Sequence, residues 1–336
     1  MLDVTRLRVL AAVARHGSVT AAARSLNYAQ PSVSHHLARL EAETGATLTQ
    51  RSGRGIRLTD AGRLLAGRAE EILGRLDAAE RELAAHVEQR QERIRLAVFA
   101  SALATIVPAA LSRLAAGHPG IDLLLAEAEP PEAMRMLRAG QVDVALISRH
   151  TQNGTPVGPA AAAEGARTRL ILDEQVHLVT RPRHRGAQAA GQPAGGPSPA
   201  GEAGTPDLAA LAHSPWIAGC EHCRGHLIWL CQHAGFSPKI AFTTDDHVAA
   251  QALVAAGLGV TILPGLAINA ARHPGIHAQP LPGAWRQVLA VTYGQPPDPR
   301  AVDHLLDILT LAATATATGA GSRSPAGGPG AGAGVA

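Results

Sequence analysis

Three cysteines and three histidines crowd one stretch of the chain, Cys220-Glu221-His222-Cys223-Arg224-Gly225-His226, followed by Cys231 and His233. A Cys-x-x-Cys pair with imidazoles nearby has the ligand types of a soft-metal site and the spacing of a redox dithiol. One such pair is half of a four-thiolate zinc site, and Cys231 falls on the apolar face of a helix, where a thiol packs as a small hydrophobe. Cys220 and Cys223 are therefore open to a structural, a redox or a metal-binding reading. A second group is suited to hydrogen bonding. Gln30, Ser32, Ser34, His35, His36 and Arg39 share one face of a helix whose opposite face is Val33, Leu37 and Leu40. Next in the chain, Arg51, Arg54 and Arg57 surround Gly53 and Gly55, a basic hairpin suited to phosphate oxygens or a minor groove.

The elements that must position these side chains are legible from local signals. Arg6–Arg15 places Leu7, Leu10, Val13 and Ala14 on one helical face and ends at Gly17. Ser18 caps a short second helix, Val19–Leu26, and Asn27-Tyr28-Ala29 makes a turn. Gln30-Pro31 opens a third helix, because proline is tolerated in a first turn, and Gly45 stops it. Helix, short helix, turn, polar-faced helix is the helix-turn-helix pattern, whose second element enters a major groove. Charge agrees. Residues 1–68 hold ten arginines against four acids, so of the net +3 this stretch carries +6 and the remainder −3. A small basic module on a larger acidic one points to nucleic acid.

Asp60–Arg93 lacks proline and is rich in Ala, Leu, Glu and Arg. Leu65, Ala69, Ile72, Leu76, Ala79 and Leu83 recur at spacings of 4, 3, 4, 3 and 4, an a/d seam that predicts a coiled coil and a dimer. Leu65, Ile72, Leu76 and Leu83 are its candidate dimerisation residues. Beyond it, strands at Ile94–Phe99, Ile121–Leu125 and Val142–Ile147 alternate with helices, which predicts an α/β unit with a parallel sheet. Further strands are expected at Leu170–Leu172, Val176–Thr180, Trp216–Ala218, Lys239–Thr243, Val260–Leu263 and Gln287–Thr292. Helices are expected at Gly225–His233, Val248–Ala256 and Val302–Ala313. Gly186–Pro206 and Gly319–Ala336 have no apolar periodicity and read as a flexible loop and a disordered tail.

Ser18, Ala22-Ala23, Leu26, Gln30-Pro31-Ser32-Val33-Ser34, Leu40-Glu41, Gly45, Leu48, Arg51 and Leu58-Thr59-Asp60-Ala61-Gly62 together resemble the signature of LysR-type transcriptional regulators. Ala29 stands where that family usually has a capping Ser or Thr, and Thr49 where it usually has Phe. The resemblance continues through Ile106-Val107-Pro108, Pro119-Gly120-Ile121, Gly140-Gln141-Val142-Asp143-Val144-Ala145 and Leu253-Val254-Ala255-Ala256-Gly257-Leu258-Gly259-Val260 to Pro264. It implies a winged helix-turn-helix domain (1–60), a linker helix (61–93) and a two-lobed, periplasmic-binding-protein-like α/β effector domain (94–313). The loop near 186–206 falls inside the last, and a tail (314–336) follows. It also implies double-stranded DNA and a small-molecule effector of unknown identity as partners, and a homodimer or homotetramer as the assembly. In the helix, Gln30, Ser32, His35 and His36 become candidates for base edges, and Arg39 and the hairpin arginines for phosphates.

In open α/β sheets a ligand sits beyond the carboxyl ends of strands. That places Ser101 first among effector-binding candidates, as a hydroxyl beside free helix N–H groups able to hold an anion. Ser148, Arg149, Thr244, Asp245 and Thr261 follow, and the resemblance sets Cys220 and Cys223 facing the same cleft. No cofactor motif occurs, and neither G-x-S-x-G, a phosphate-cradling glycine loop nor H-E-x-x-H is found, which argues against an enzyme. The 16 histidines are scattered without motif spacing. No apolar run approaches the ~20 residues of a membrane span, and MLDVTRLRVL has no apolar signal core. A solute-binding protein would leave residues 1–93 unexplained. With three cysteines the expectation is a cytoplasmic protein, without membrane contact.

Overall fold

The computed structural model describes residues 2–52, 55–88, 92–157, 165–182, 206–294 and 296–317. The loop and tail expected at 186–206 and 319–336 lie outside them, apart from Pro206. Three helices open the chain: α1 (Val4–His16), α2 (Val19–Ser25) and α3 (Gln30–Thr44). The Asp3 carboxylate accepts from the Arg6 N–H at the start of α1, and Gly17 ends it in the left-handed region (φ 62°). Ser18 accepts from the Ala21 N–H, Pro31 sits in the first turn of α3, and Gly45 closes it (φ 66°). Ala29 supplies no side-chain cap, the consequence expected of losing a Ser or Thr there.

The wing is an antiparallel pair, β1 (Thr49–Ser52) and β2 (Gly55–Leu58). It leads into α4 (Asp60–Glu88), a single helix of 29 residues. The first turns of α4 pack on α1. Ala66 and Ala69 are buried, and Leu65 and Leu73 join the core around Leu10, Val33, Leu40 and Leu48. The seam is therefore divided: Leu65 belongs to its own domain's core, whereas Ile72, Leu76 and Leu83 are exposed.

The rest of the chain builds a seven-stranded sheet in the order β10-β7-β11-β5-β3-β4, with β6 (Thr155–Val157) beside β5. Strands β3 (Glu92–Val98), β4 (Ile121–Glu127) and β5 (Val144–Gln152) are parallel, as the alternation predicts. Between them lie α5 (Ala100–Leu103), α6 (Ile106–Gly117) and α7 (Pro130–Arg138). Two long strands then depart from expectation. Leu170–Leu172 and Val176–Thr180 are parts of one strand, β7 (Ala166–Thr180), and Gln287–Thr292 is the end of β11 (His277–Tyr293). They pair antiparallel to each other along most of their length.

These two strands join two cores. Ile171, Leu172, Val288 and Ala290 enter a first core with Leu96, Val98, Ile106, Leu146 and α11 (Arg300–Ala317). Val176, Leu178, Leu281 and Ala284 enter a second with Trp216, Leu227 and Leu230. The second lobe is completed by the parallel pair β8 (Pro215–Ala218) and β9 (Lys239–Thr243), by β10 (Thr261–Pro264), and by α8 (Glu221–His233), α9 (His247–Ala255) and α10 (Gly265–Ala270). Helix α8 begins four residues earlier than its apolar pattern indicates, so Cys223 lies in its first turn and Cys220 is its N-cap. Among the described residues no helix is long and apolar enough to cross a membrane.

Candidate functional site

The outer face of α3 is available to a partner. Gln30, Ser32, Ser34, His35 and Arg39 are exposed and His36 is half-buried, while Val33, Leu37 and Leu40 are buried beneath them. Tyr28, in the preceding turn, lies with its ring 6.0 Å from that of His36. Glu41 fastens the wing to α3: its Oε1 accepts from the Leu48 and Thr49 N–H groups at 2.8 and 2.9 Å and from the Thr49 hydroxyl at 3.1 Å. Thr49 thus anchors by hydrogen bonds where an aromatic ring would anchor by packing. Arg57 is exposed on β2, the Arg51 Cα pairs with that of Ile56, and Arg54 lies outside the described residues.

A second site sits where the two cores meet. Arg286 on β11 and Glu174 on β7 are opposite each other in the ladder, each 3% exposed, and Arg286 donates to Glu174 through Nε at 2.7 Å and Nη2 at 2.5 Å. Glu174 Oε2 also accepts from the Leu266 N–H at the start of α10. Burial pushes the Glu174 carboxyl upward, and the Arg286 charge and these hydrogen bonds pull it back. Arg286 Nη2 further donates to the Ser101 hydroxyl at 2.9 Å. Ser101 thus accepts from a guanidinium, a bond that leaves its hydroxyl proton to donate.

In front of this network lies a small cleft open to solvent. Phe99, Ser101 and Ser148 line it from the first lobe, and Cys220, Cys223, Asp245 and His247 from the second. A neighbouring hollow shares Cys223 and His247 and adds Thr244, Thr261 and an apolar wall of Leu227, Ile262 and Leu263. The effector candidates Ser101, Ser148 and Asp245 therefore meet in one cavity, and Thr244 and Thr261 line the next. Arg149 lies outside both. Neighbouring strand residues point to opposite faces, so Ser148 and Arg149 cannot share the cleft, and Arg149 donates to Gln287 Oε1 at 2.6 Å.

The thiols of Cys220 and Cys223 are 3.3 Å apart, with Cys220 donating. That hydrogen bond, opposed by burial and helped by the Arg286 charge, holds Cys223 below the usual thiol range, and the same bond together with burial pushes Cys220 above it. Cys231 is fully buried in the second core, which pushes it up to about 12. Among the described residues, no three histidine, cysteine or acidic groups are arranged to hold a metal ion, so Cys220 and Cys223 stand as a pair.

Sequence reasoning missed three partners of the cleft. Arg286 carries a detectable signal, a single charge close to the apolar run that ends β11, whereas Glu174 stands beside Asp173 in a polar break of β7. The third is a histidine stack: His226 and His222, one helical turn apart on α8, lie with ring centroids 3.9 and 5.1 Å from His150 on β5. All of their ring nitrogens except His222 Nδ1 are buried and without a hydrogen-bond partner. Desolvation lowers all three, His226 to about 4.

Known proteins place this architecture. Residues 4–63 match the family described as bacterial regulatory helix-turn-helix protein, lysR family, and residues 88–313 match the LysR substrate binding domain. The regulator YcgK of Bacillus subtilis, an uncharacterized HTH-type transcriptional regulator, is 28% identical over 82% of this chain and 83% of its own. A probable hydrogen peroxide-inducible genes activator of Mycobacterium avium is 30% identical over 79% of this chain and 78% of its own. Among solved structures, a full-length OxyR variant from Pseudomonas aeruginosa superimposes with a TM-score of 0.59 at 22% identity, covering 93% of this chain and 95% of that one. CbnR, a LysR family transcriptional regulator, gives 0.57 at 22% identity, covering 93% and 99%. With both domain patterns matched across 4–63 and 88–313, the chain belongs to the LysR family of DNA-binding transcriptional regulators.

Proposed function

We propose that the chain acts as an effector-controlled switch on double-stranded DNA, with the α3 face reading bases and the wing arginines holding phosphates. The exposed Ile72, Leu76 and Leu83 of α4 form the dimer contact, which sets two reading helices on two half-sites. The role is regulatory rather than enzymatic, and it is exercised in the cytoplasm. One observation carries the reading: a single cavity lined by Ser101 and Ser148 from one lobe and Cys220 and Asp245 from the other. A ligand there contacts both lobes and biases their angle, hence the spacing of the reading helices. A gel shift with the gene's own upstream DNA tests it, and absence of a specific shift at moderate salt overturns it. A metabolite panel read by thermal stability then finds the effector, since a ligand at about 100 times its Kd adds about 2.7 kcal/mol.

The 3.3 Å thiol pair supports a second reading, in which oxidation of the dithiol is itself the signal. Two thiols would form one disulfide, giving two electrons and two protons to a hydroperoxide that leaves as alcohol and water. The relative named a probable hydrogen peroxide-inducible genes activator fits this reading. Cys220→Ser and Cys223→Ser variants compared with the parent, with and without hydroperoxide, decide: DNA binding unchanged throughout removes it.

A further inference from the structure

We propose that Tyr28 is a further DNA contact, its phenolic hydroxyl donating to a phosphate at the rim of the groove that α3 enters. The contact rests on the reading of α3 as the base-facing helix, and it adds a neutral donor to a module whose other phosphate candidates are arginines. Tyr28 is the only tyrosine, phenylalanine or tryptophan among the first 93 residues. It is 41% exposed, in the turn two residues before α3 begins. Lone exposed apolar side chains are ordinary, but this one is held in place and carries an unused donor.

The backbone is fixed first. Asn27 takes the chain through the left-handed region (φ 55°), which asparagine tolerates, and the Tyr28 N–H donates to the Ala23 carbonyl at 2.8 Å. The ring is fixed next: it lies 6.0 Å from the His36 ring on α3, tilted by 30°, within the range of a favourable ring pair. His36 in turn meets the His35 ring edge-on at 6.3 Å. With backbone and ring both restrained, little side-chain freedom is left to lose on binding. The Tyr28 hydroxyl makes no hydrogen bond to another described residue. No Asp or Glu occurs from Val4 to Leu40, whereas Arg24 and Arg39 lie on either side of the turn in sequence. The anionic acceptor that suits this donor is therefore a DNA phosphate oxygen, which tyrosine hydroxyls contact through a charge-assisted bond.

Tyr28→Phe removes one oxygen and keeps the ring beside His36, so circular dichroism should be unchanged. Fluorescence anisotropy of the full-length protein reads the effect on a duplex of the gene's own upstream DNA and on an unrelated duplex of equal length. Loss of a hydrogen bond to a charged group should weaken both complexes by about tenfold per contact. The ratio of the two affinities and the salt slope should stay as they are, because no cation is lost. A single neutral methylphosphonate, moved along the backbone of the upstream duplex, should weaken the parent protein at one phosphate to which Tyr28→Phe is indifferent. Parent-like affinity of Tyr28→Phe, a loss confined to the upstream duplex, an altered salt slope, or a methylphosphonate profile identical to the parent's overturns the contact. The reading of α3 survives any of these as long as Gln30→Ala loses discrimination. If Gln30→Ala and Tyr28→Phe both bind as the parent does, that reading falls with it.

Discussion

At the scale of single residues, the boundary between the lobes is governed by charges removed from water. Arg286 and Glu174 are each nearly inaccessible, and removing one partner strands the other. Glu174→Ala should therefore cost about 3–5 kcal/mol of unfolding free energy, read as a lower urea midpoint. A loss under about 1 kcal/mol would show that water reaches Arg286. The imidazole stack gives a pH dependence whose sign is fixed. Above pH 6.5 His150, His222 and His226 are neutral folded or unfolded, and they add no slope. Below 6.5 the unfolded chain takes protons that the buried rings refuse, so stability falls as pH drops toward about 4, the value for His226. Each refused proton contributes about 1.4 kcal/mol per pH unit. His226→Leu should remove close to one such increment between pH 6 and 5, measured as the urea midpoint against pH. An unchanged slope would mean that the ring is hydrated.

Among elements, α4 joins the DNA-reading module to the first lobe. Gly74 in its middle meets Gly140, after α7, so closely that a Cβ on Gly74 would fall 2.4 Å from the Ala139 carbonyl carbon. Arg75 lies over the Tyr293 ring at 4.9 Å, at the end of β11. A helix-interior glycine is unfavourable by about 1 kcal/mol, and close backbone approach is the reason to keep one. Gly74→Leu should leave both modules folded but separate α4 from residues 139–141, seen as faster hydrogen exchange at Gly140 and Gln141. Undiminished protection would show that α4 bends around the new side chain. Cap and turn signals such as Gly17, Ser18, Pro31 and Gly45 act within a few residues, which is why the first three helices are legible in the sequence. Strands β7 and β11 are not, because Asp173-Glu174-Gln175 and Pro280–Gly283 interrupt their apolar alternation, and pairing across the ladder carries them through. The a/d spacing of α4 predicts one seam. Nothing local shows that Leu65 and Ala69 are spent on α1 while Ile72, Leu76 and Leu83 stay exposed. In the cleft, Ser101 and Asp245 are legible as residues just past strand ends, whereas Ser148 lines the cavity from inside β5, which runs five residues beyond the end expected at Ile147. The histidine stack is not legible, since it forms only when α8 folds against β5.

For the whole molecule, the uneven charge separates two contributions to DNA binding that a single affinity would merge. The first 68 residues carry +6 and the remaining chain −3, so attraction to phosphates belongs to the helix-turn-helix and wing. Each neutralised phosphate steepens the fall of log K with log salt by about 0.9. If Arg57, exposed on β2, holds one phosphate in each half of the proposed dimer, Arg57→Ala should flatten the slope by about 2 and weaken all sequences alike. Gln30, exposed in the first turn of α3, should behave oppositely. Gln30→Ala should leave the slope intact yet reduce discrimination at one base pair by about 1–3 kcal/mol per contact, since a bidentate amide reads adenine and carries no charge. Fluorescence anisotropy with matched and mismatched duplexes, across a salt series, measures both. Exchanged outcomes, a slope change for Gln30→Ala and a loss of specificity for Arg57→Ala, would place the wing in the base-reading groove and α3 on the backbone. The reading face would then have to be redrawn.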